Sequence, residues 1–326
     1  MIIETPDWDF NSLTSPVIAC GSNNELLNTT VASVYEPAED TFLVLDALQL
    51  DLELTVRNRL LCQSFSSGNL PTKNDPLLVV ELGSGAGLLS AAVAKSLRKD
   101  ILTSVTDVGV HCIAVDINPA ACHATSHTCL LNNVQVDVVC GDLLSWMRHP
   151  KSTCVNIKNV SQGNSYGLID LLLFNPPYVR GPNGECAIVP MVLKSDTIEN
   201  STENQLQSKI ADAAWLGGGP DGVEVLKKAL HQAADFLSER GVFYVLMIDY
   251  NYAALVREEI NARCEQDVNN FGVINENNSK DYVLLTTFGD GTAKKPLACR
   301  RILSRQVPGE KLSVYRVYRP HILDNY

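Results

Sequence analysis

Residues 168–178 read LIDLLLFNPPY, an apolar run that stops at an asparagine, two prolines and a tyrosine. The apolar part, residues 168–174, is typical of a strand that is buried on both faces of a sheet. Each proline lacks an N–H group and fixes φ near about −65°, and the residue before a proline is pushed out of the helical region. The strand is therefore predicted to end in a stiff elbow at its carboxyl end, where open α/β sheets bind their ligands.

Strand patterns alternate with helical patterns along the rest of the chain. Further strands are predicted at residues 77–82, 111–115, 134–140 and 241–247, and helices at 42–48, 88–97, 120–132, 223–240 and 252–262. This alternation predicts an α/β fold with a mostly parallel sheet and helices on both faces. Two final strands, 282–288 and 312–318, follow each other without a clear helix, so an antiparallel finish is expected. The polar, basic segment between them, with Arg300 and Arg301, is expected to be a solvated loop.

The chain of 326 residues is predicted to form a single domain with insertions. Residues 1–30 are polar and irregular and are expected to be a loose N-terminal segment, and residues 31–326 are expected to form the domain. Polar stretches near 55–75, 98–110, 148–167 and 183–207 are predicted insertions. Asp40 or Thr41 is expected to cap the first helix, since both residue types are favoured at that position.

Charge and composition restrict the class of protein. The net charge of −11 argues against a protein that follows a nucleic-acid backbone, because such proteins need a basic face. The first ten residues lack the apolar core of a signal peptide, and no run approaches the ~20 apolar residues of a membrane span. The 10 cysteines include no Cys-x-x-Cys pair and indicate reduced thiols. We expect a protein of the cytoplasm, with the nucleus as an alternative location.

The stretch ELGSGAG, residues 81–87, stands where a strand passes into a helix. Glycines let the backbone approach a ligand closely, and the start of the helix offers free N–H groups. The dinucleotide fingerprint requires glycine at position 88, where this chain has Leu88, which disfavours a nicotinamide oxidoreductase. Glu81 would repel a pyrophosphate but suits a cationic ligand such as S-adenosylmethionine. A tight turn with packing glycines is the alternative.

Two further acids follow the second and third strands. Asp116 can accept two hydrogen bonds from a ribose diol, and Ile117 beside it can pack on an adenine face. Asp142, next to Leu143, can accept the amino group of the adenine. Taken alone, each acid fits a helix cap equally well or better, so the residues themselves leave both interpretations open.

The elbow itself offers groups that suit a planar –NH₂. An amide nitrogen is a poor nucleophile because its lone pair is delocalised into the carbonyl. The side-chain oxygen of Asn175 and the backbone carbonyl of Pro176 can accept its two N–H bonds, and these bonds strengthen as positive charge develops on the nitrogen. Tyr178 can stack on the planar group. A glutamine amide and an adenine amine fit this arrangement equally well, and a rigid loop without chemistry is the third interpretation.

Together, these stretches resemble the class I methyltransferases that modify amino groups conjugated to a planar system. The segments VYEPAEDTF (34–42) and NPPYV (175–179) closely resemble the HemK-like eukaryotic and archaeal branch. WLGGGPDG (215–222) resembles the Gly-Gly-x-(Asp/Asn)-Gly stretch of that family. The resemblance covers about residues 33–319 and implies a seven-stranded, mostly parallel Rossmann-like sheet with an antiparallel last strand. The insertion after Asn183 borders the substrate entrance and leaves the substrate range open.

The resemblance also implies an activity and a set of functional residues. The activity is S-adenosylmethionine-dependent methylation of the glutamine in the Gly-Gly-Gln motif of the class I translation termination factor. The implied catalytic residues are Asn175, Pro176, Pro177 and Tyr178, of which Asn175, Pro176 and Tyr178 would also bind substrate. The implied cofactor-binding residues are Tyr35, Pro37, Thr41, Glu81, Gly83, Gly85, Gly87, Asp116, Ile117, Asp142, Leu143 and Asn175. The alternatives are an adenine amine in DNA or RNA, a histone lysine, and a non-catalytic binding subunit.

In eukaryotes this branch works with a small zinc-binding activator subunit, so the resemblance implies such a partner. The predicted strand 134–140 gives an independent reason, because it lies at the sheet edge and carries four valines with only Asp137 as a charged guard. Exposed apolar edges need a cover, which strand addition by another protein would supply; a segment of the same chain is the alternative. Four possible metal ligands lie close together in the sequence, namely Cys122, His123, His127 and Cys129. Their spacing matches no common zinc pattern, so no metal is expected in this chain.

Overall fold

The computed structural model describes residues 34–51, 76–103, 109–148, 167–180, 216–266, 283–285 and 297–319. The predicted loose segment 1–30 lies outside these residues. So do nearly all of the predicted insertions near 55–75, 148–167 and 183–207. Of the insertion predicted near 98–110, residues 104–108 lie outside them.

One mixed sheet carries the fold, with the strand order β3-β2-β1-β4-β5-β8-β7-β6. Neighbouring strands among β1 to β5 are parallel, whereas β8 runs antiparallel to β5 and to β7. The predicted mostly parallel sheet with an antiparallel last strand is therefore confirmed: β1–β5, β7 and β8 are its seven strands, and the three-residue β6 adds an eighth at the edge. The strands are β1 Leu77–Leu82, β2 Val110–Asp116, β3 Asp137–Cys140, β4 Ile169–Phe174, β5 Leu237–Ile248, β6 Val283–Leu285, β7 Leu297–Val307 and β8 Glu310–Tyr318.

Among the described residues, five helices cover the two faces of this sheet: α1 Glu39–Asp51, α2 Leu88–Thr103, α3 Pro119–Leu131, α4 Glu224–Phe236 and α5 Asp249–Gln266. Alternate residues of the central strands point to opposite faces, so Leu171 and Leu173 join one core with α1 and α2, and Leu172 joins another with α4. All six residues of β4 are buried, as expected of a strand covered on both sides. No helix in the described part of the chain is long and apolar enough to cross a membrane.

Three predicted boundaries are wrong. Helix α1 begins at Glu39, so Asp40 and Thr41 lie in its first turn and do not cap it. Helix α2 continues past its predicted end at residue 97 to Thr103, into the predicted insertion, because that stretch contains neither glycine nor proline to end it. Helix α4 ends at Phe236, since Leu237 is extended and already begins β5.

Two strands also differ from prediction. Arg300 and Arg301 lie within β7, where they pair with Arg316 and Tyr315 of β8, and not in a solvated loop. Pairing with β8 holds both residues in a strand, although their polar side chains predict a loop. The predicted strand 134–140 is reduced to β3, Asp137–Cys140, because Val134 is still hydrogen-bonded to Cys129 at the end of α3. The expected edge position of β3 is confirmed.

A buried ion pair fixes the end of α1 against the sheet. Asp51, the last residue of α1, accepts hydrogen bonds from Arg316 Nη1 at 2.7 and 2.9 Å and from the Tyr244 hydroxyl at 2.6 Å. All three side chains are buried. The pair therefore connects α1 to β5 and β8 and holds the other end of the helix, which carries Asp40 and Thr41, over the carboxyl ends of the strands.

Candidate active site

A cavity of about 560 Å³ opens at the carboxyl ends of the parallel strands. Every residue predicted to serve the site lines it, with the exception of Gly87. The residues come from the start of α1 and the segment before it, from the ends of β1 and β2, from the turns after β1, β2 and β3, and from the elbow after β4. The lining residues that were predicted are Tyr35, Pro37, Thr41, Glu81, Gly83, Gly85, Asp116, Ile117, Asp142, Leu143, Asn175, Pro176, Pro177 and Tyr178.

The turn after β1 brings backbone to the cavity wall. Gly83 and Gly85 adopt φ of 60° and 52°, a region that favours glycine. A side chain at Gly83 would come within 3.1 Å of the Phe174 ring, and the N–H of Gly85 donates to Asp116 Oδ2 at 2.9 Å. The turn therefore folds across the ends of β2 and β4, which leaves its backbone facing the cavity.

Gly87 has a different role from the predicted one. A Cβ atom at this position would lie 2.6 Å from the Cα atom of Thr125 in α3. Glycine is needed here because α2 and α3 approach each other closely, and the residue does not line the cavity. The predicted contact between Gly87 and a cofactor is therefore replaced by a helix-packing function.

Glu81 is a buried carboxyl group at the end of β1. Its Oε2 accepts hydrogen bonds from the Ser90 N–H, at 2.8 Å, and from the Ser90 hydroxyl. Burial is the main cause that raises the pKa of Glu81 to about 8, against the hydrogen bonds from Ser90 and with a smaller contribution from Asp116. A cationic group in the cavity would favour the ionised form of Glu81, so the residue is suited to bind an ammonium group.

Backbone N–H groups orient both carboxylate oxygens of Asp116. Oδ2 accepts from Gly85 and Oδ1 accepts from the Asn118 N–H at 2.8 Å. Burial raises the pKa of Asp116, and these backbone hydrogen bonds oppose the shift. Since each carboxylate oxygen has a second lone pair, Asp116 can also accept two hydrogen bonds from a ligand diol.

Asp142 is paired with a residue that the sequence patterns did not single out. Lys228 of α4 also lines the cavity and donates to Asp142 Oδ2, and both side chains are partly exposed. Leu143 follows with φ of 50°, which turns the chain sharply after β3. Oδ1 of Asp142 is thus the oxygen left to accept the amino group of an adenine.

At the elbow, one of the two polar side-chain atoms of Asn175 has a hydrogen-bond partner among the described residues, and the other has none. Its Nδ2 donates to the Thr41 hydroxyl at 3.4 Å. Its Oδ1 is buried and makes no hydrogen bond with any residue that the structure describes. Buried acceptors without a partner are rare in folded proteins and need an explanation. A ligand N–H group in the adjoining cavity would supply the missing donor.

The segment 216–222 supports the elbow from behind. The Gly217 N–H donates to the carbonyl of Val179 at 2.9 Å, and Asn251 Nδ2 donates to the carbonyl of Tyr178 at 3.4 Å. Gly222, with φ of 65°, lies so close that a Cβ atom would come within 2.8 Å of the Tyr178 carbonyl. The glycines of this segment therefore hold the backbone of the elbow in position.

We expect Gly222→Ala to destabilise the protein more than Gly309→Ala does. Gly309 has φ of 90° and open space around it, so its substitution costs only the backbone strain of about 1–2 kcal/mol. Gly222→Ala adds a clash with the elbow, for about 1–3 kcal/mol more. Denaturant unfolding of both variants measures the difference, and equal losses would show that the elbow does not rest on Gly222.

Tyr35, Asp40 and Tyr178 also line the cavity, and Glu310 contacts Tyr178. The Tyr35 hydroxyl donates to Asp40 Oδ2 at 2.6 Å, and the Tyr178 hydroxyl donates to Glu310 at 3.4 Å. Burial, with the nearby acids, raises the pKa of both phenols, so both stay neutral hydrogen-bond donors. Asp40 lies within the quoted stretch 34–42 and could have been found there, whereas Glu310 and Lys228 are brought to the site only by tertiary packing.

The possible metal ligands of α3 are not brought together as a cluster. Cys129 is buried in the core and Cys122 is partly buried, whereas His123 and His127 are exposed. Within the described residues, no group of three or more histidine, cysteine or acidic side chains could hold a metal ion.

The chain is similar to several known methyltransferases, although no protein-family model matches it. The human protein named Methyltransferase HEMK2 is 32% identical over 220 residues, which is 68% of this chain and 74% of the relative. The eRF1 methyltransferase catalytic subunit mtq2 of Schizosaccharomyces pombe is 29% identical over 286 residues, 88% of this chain and 89% of the relative. A solved structure, the E. cuniculi Mtq2-Trm112 complex, covers 88% of this chain with 18% identity and a TM-score of 0.40.

The similarity to the human relative extends over two thirds of both chains at more than 30% identity. It agrees with the site, in which a buried acid, a glycine turn and an asparagine elbow surround one cavity. The predicted cofactor and reaction class are therefore confirmed. The chain belongs to the HEMK2 family of methyltransferases and uses S-adenosylmethionine as its methyl donor.

Proposed function

We propose that the chain methylates the side-chain amide nitrogen of the glutamine in the Gly-Gly-Gln motif of the class I translation termination factor, in the cytoplasm. One observation carries this proposal: Asn175 Oδ1 is buried at the cavity without a hydrogen-bond partner among the described residues. An amide –NH₂ brings the donor that this oxygen lacks. The name of the S. pombe relative, which specifies eRF1 methylation, supports the choice of acceptor.

The residues present fit S-adenosylmethionine, which supplies an electrophilic methyl group when bound. Glu81 would hold its α-amino group, since a cation in the cavity favours the ionised form of this buried carboxyl group. Asp116 would accept from the ribose hydroxyls and Asp142 from the adenine amine, with Ile117 and Leu143 against the adenine ring. The turn at Gly83 and Gly85 would contact the cofactor through backbone, because both residues have a positive φ that favours glycine and therefore carry no side chain at the cavity wall.

The acceptor amide is held by the elbow during transfer. Asn175 Oδ1 and the carbonyl of Pro176 accept its two N–H bonds, and Tyr178 packs on its plane. As the nitrogen–methyl bond forms and the methyl–sulfur bond breaks, positive charge develops on the nitrogen and strengthens both hydrogen bonds. The proton leaves the nitrogen after transfer, so the site needs no strong base. Pro177 contributes by keeping the elbow rigid.

The charges near Asn175 favour a protein amide over a nucleic-acid amine. Asp40 and Glu224 line the cavity, and Glu310 lies against Tyr178. These carboxylates would repel the phosphates that flank an adenine, which is the opposite of the basic surface that nucleic-acid binding requires. The glutamine is therefore the acceptor that we propose.

A three-way competition tests the acceptor. The purified chain, with and without an activator subunit, is offered labelled S-adenosylmethionine together with termination factor, histone and adenine-containing DNA. We expect label on the termination factor above all, because that acceptor presents the glutamine of the Gly-Gly-Gln motif. Label on DNA alone, or on histone alone, would contradict the proposal.

We further propose that a small zinc-binding activator subunit adds to the sheet at β3. This strand is the edge of the sheet, and Val138 and Val139 are only partly buried. Leu130 and Leu131, at the end of the neighbouring α3, are 75% and 45% exposed. An apolar edge of this kind needs a cover. Zinc content and activity of the co-purified complex test the proposal, which fails if the chain alone is soluble, stable and fully active.

Cofactor affinity is expected to rise with pH between about 6 and 8 and to level off above. Glu81 has a pKa of about 8 in the free protein, so below that value it is mostly protonated and must lose its proton to pair with a cationic amine. Calorimetry in two buffers of different ionisation enthalpy measures the released proton. The side chain in Glu81→Gln cannot titrate. The proton release from this group, and the pH dependence of cofactor affinity that it causes, should therefore vanish in the variant. An identical pH profile in the variant would exclude Glu81 from this function.

A further inference from the structure

Asp40 and Thr41, at the start of α1, form a chain of hydrogen bonds that ends on Asn175. We propose that Asp40, acting through Thr41, fixes which way the Asn175 amide points, so that Oδ1 and not Nδ2 faces the acceptor. Asp40 and Thr41 are then positioning residues for the reaction. The inference rests on the proposed function in one respect, namely that Asn175 receives the N–H of an acceptor amide.

The chain of hydrogen bonds has a fixed direction. Asp40 is buried, with 4% of its surface exposed. Its Oδ1 accepts from the Thr41 N–H at 2.6 Å and from the Thr41 hydroxyl at 3.2 Å, and its Oδ2 accepts from the Tyr35 hydroxyl at 2.6 Å. An ionised carboxylate can only accept, whereas a hydroxyl has a single proton to donate. The Thr41 hydroxyl therefore gives its proton to Asp40.

The direction at Thr41 determines the direction at Asn175. With its proton committed to Asp40, Thr41 Oγ1 presents only lone pairs to the elbow. The –NH₂ of Asn175 can donate to them, as it does at 3.4 Å. A reversed amide would place Oδ1 against these lone pairs with no proton between the two oxygens. The carboxylate of Asp40 thus selects one of two amide orientations that have the same shape.

The selected orientation is the one that leaves an acceptor unpaired. Asn175 Oδ1 is buried without a partner among the described residues. In the reversed orientation the –NH₂ would face the acceptor amide, and two donors would oppose each other while positive charge develops on the nitrogen. Fixing the amide in advance removes this unproductive state, which is preorganisation of the kind that lowers reaction barriers.

The test separates hydrogen bonding from shape by comparing four variants. Thr41→Val keeps the shape of the side chain and removes the hydroxyl, whereas Thr41→Ser keeps the hydroxyl. Asp40→Ala removes the carboxylate that orients it. Glu39→Ala is the matched control, because Glu39 is the adjacent acid in the same helical turn but pairs with Arg305 at 2.8 Å, outside the site. For each variant, kcat and KM with termination factor and the cofactor Kd are measured.

A second measurement needs no acceptor. Protein labelled with ¹⁵N-asparagine gives a pair of side-chain amide signals for Asn175, which Asn175→Ala identifies by their loss. In wild-type protein the hydrogen bond to Thr41 should protect these protons from exchange with solvent. We expect exchange about tenfold faster in Thr41→Val and in Asp40→Ala, as the loss of one hydrogen bond predicts. Glu39→Ala should exchange at the wild-type rate.

Thr41→Val and Asp40→Ala should lower kcat about 10- to 100-fold while changing the cofactor Kd less. Thr41→Ser should recover most of the rate that Thr41→Val loses, and Glu39→Ala should be unaffected. The inference is overturned if Thr41→Ser is as slow as Thr41→Val, or if the Asn175 amide signals are the same in wild type and Thr41→Val. If wild type does not methylate termination factor but the amide signals respond as expected, the positioning of Asn175 stands and the proposed acceptor falls.

Discussion

Asn175→Ala should lower kcat for methyl transfer about 10³-fold, while S-adenosylmethionine still binds. The substitution removes Oδ1, a buried acceptor with no partner among the described residues, and with it the hydrogen bond that strengthens as charge develops on the amide nitrogen. An interaction that is stronger in the transition state than in the ground state acts on kcat more than on binding. Single-turnover rates and the cofactor Kd measured by calorimetry separate the two effects.

Asn132→Ala is the matched control for this prediction. Asn132 is also a buried asparagine whose Oδ1 has no partner in the described structure, but it ends α3 and does not line the cavity. Its Nδ2 donates to the Thr128 carbonyl at 2.8 Å, so its loss should affect stability and leave kcat near the wild-type value. A normal rate in Asn175→Ala would refute the clamp, and an equal loss in both variants would assign the effect to folding.

Asp51→Ala should lower the free energy of unfolding by about 3–5 kcal/mol. The substitution leaves the guanidinium of Arg316 buried without the carboxylate at 2.7 Å, and it also removes the acceptor of the Tyr244 hydroxyl. A buried charge that has lost its partner retains its desolvation cost, and this is why the effect exceeds that of an ordinary hydrogen bond. Denaturant unfolding monitored by circular dichroism measures the loss.

Asp46→Ala provides the comparison on the same helix. Asp46 pairs with Arg305, but both side chains are more than a third exposed. Solvent screens such pairs, so the expected loss is below about 1 kcal/mol. If the two variants lose the same free energy of unfolding, the buried pair does not fix α1 to the sheet as described.

The sequence predicted the central part of the fold because the signals there are local. The apolar run of β4, the glycine turn after β1 and the proline elbow each specify their own backbone, and alternating strands and helices order them in one sheet. Parallel strands meet at their carboxyl ends, so residues far apart in sequence could be assigned to one cavity before any contact was known. Of the predicted site residues, only Gly87 lies elsewhere, because a packing glycine and a ligand-contacting glycine share the same sequence pattern.

The remaining features depend on contacts between distant segments. Lys228 meets Asp142 across 86 positions of the chain, and no local pattern marks it. Arg300 and Arg301 look like loop residues until β8 pairs with them. The direction of the Asn175 amide follows from Asp40, 135 positions earlier, through Thr41. Such long-range partners become visible only when the sheet brings α1 over the elbow.

The most direct test is to map the methyl group on termination factor after reaction with the chain and its activator subunit. Peptide mass spectrometry of the Gly-Gly-Gln segment should show the mass of one methyl group on the glutamine side chain. Termination factor in which that glutamine is replaced by alanine should remain unmodified. A methyl group on any other residue, or an unchanged yield with the alanine variant, would contradict the proposed glutamine methylation.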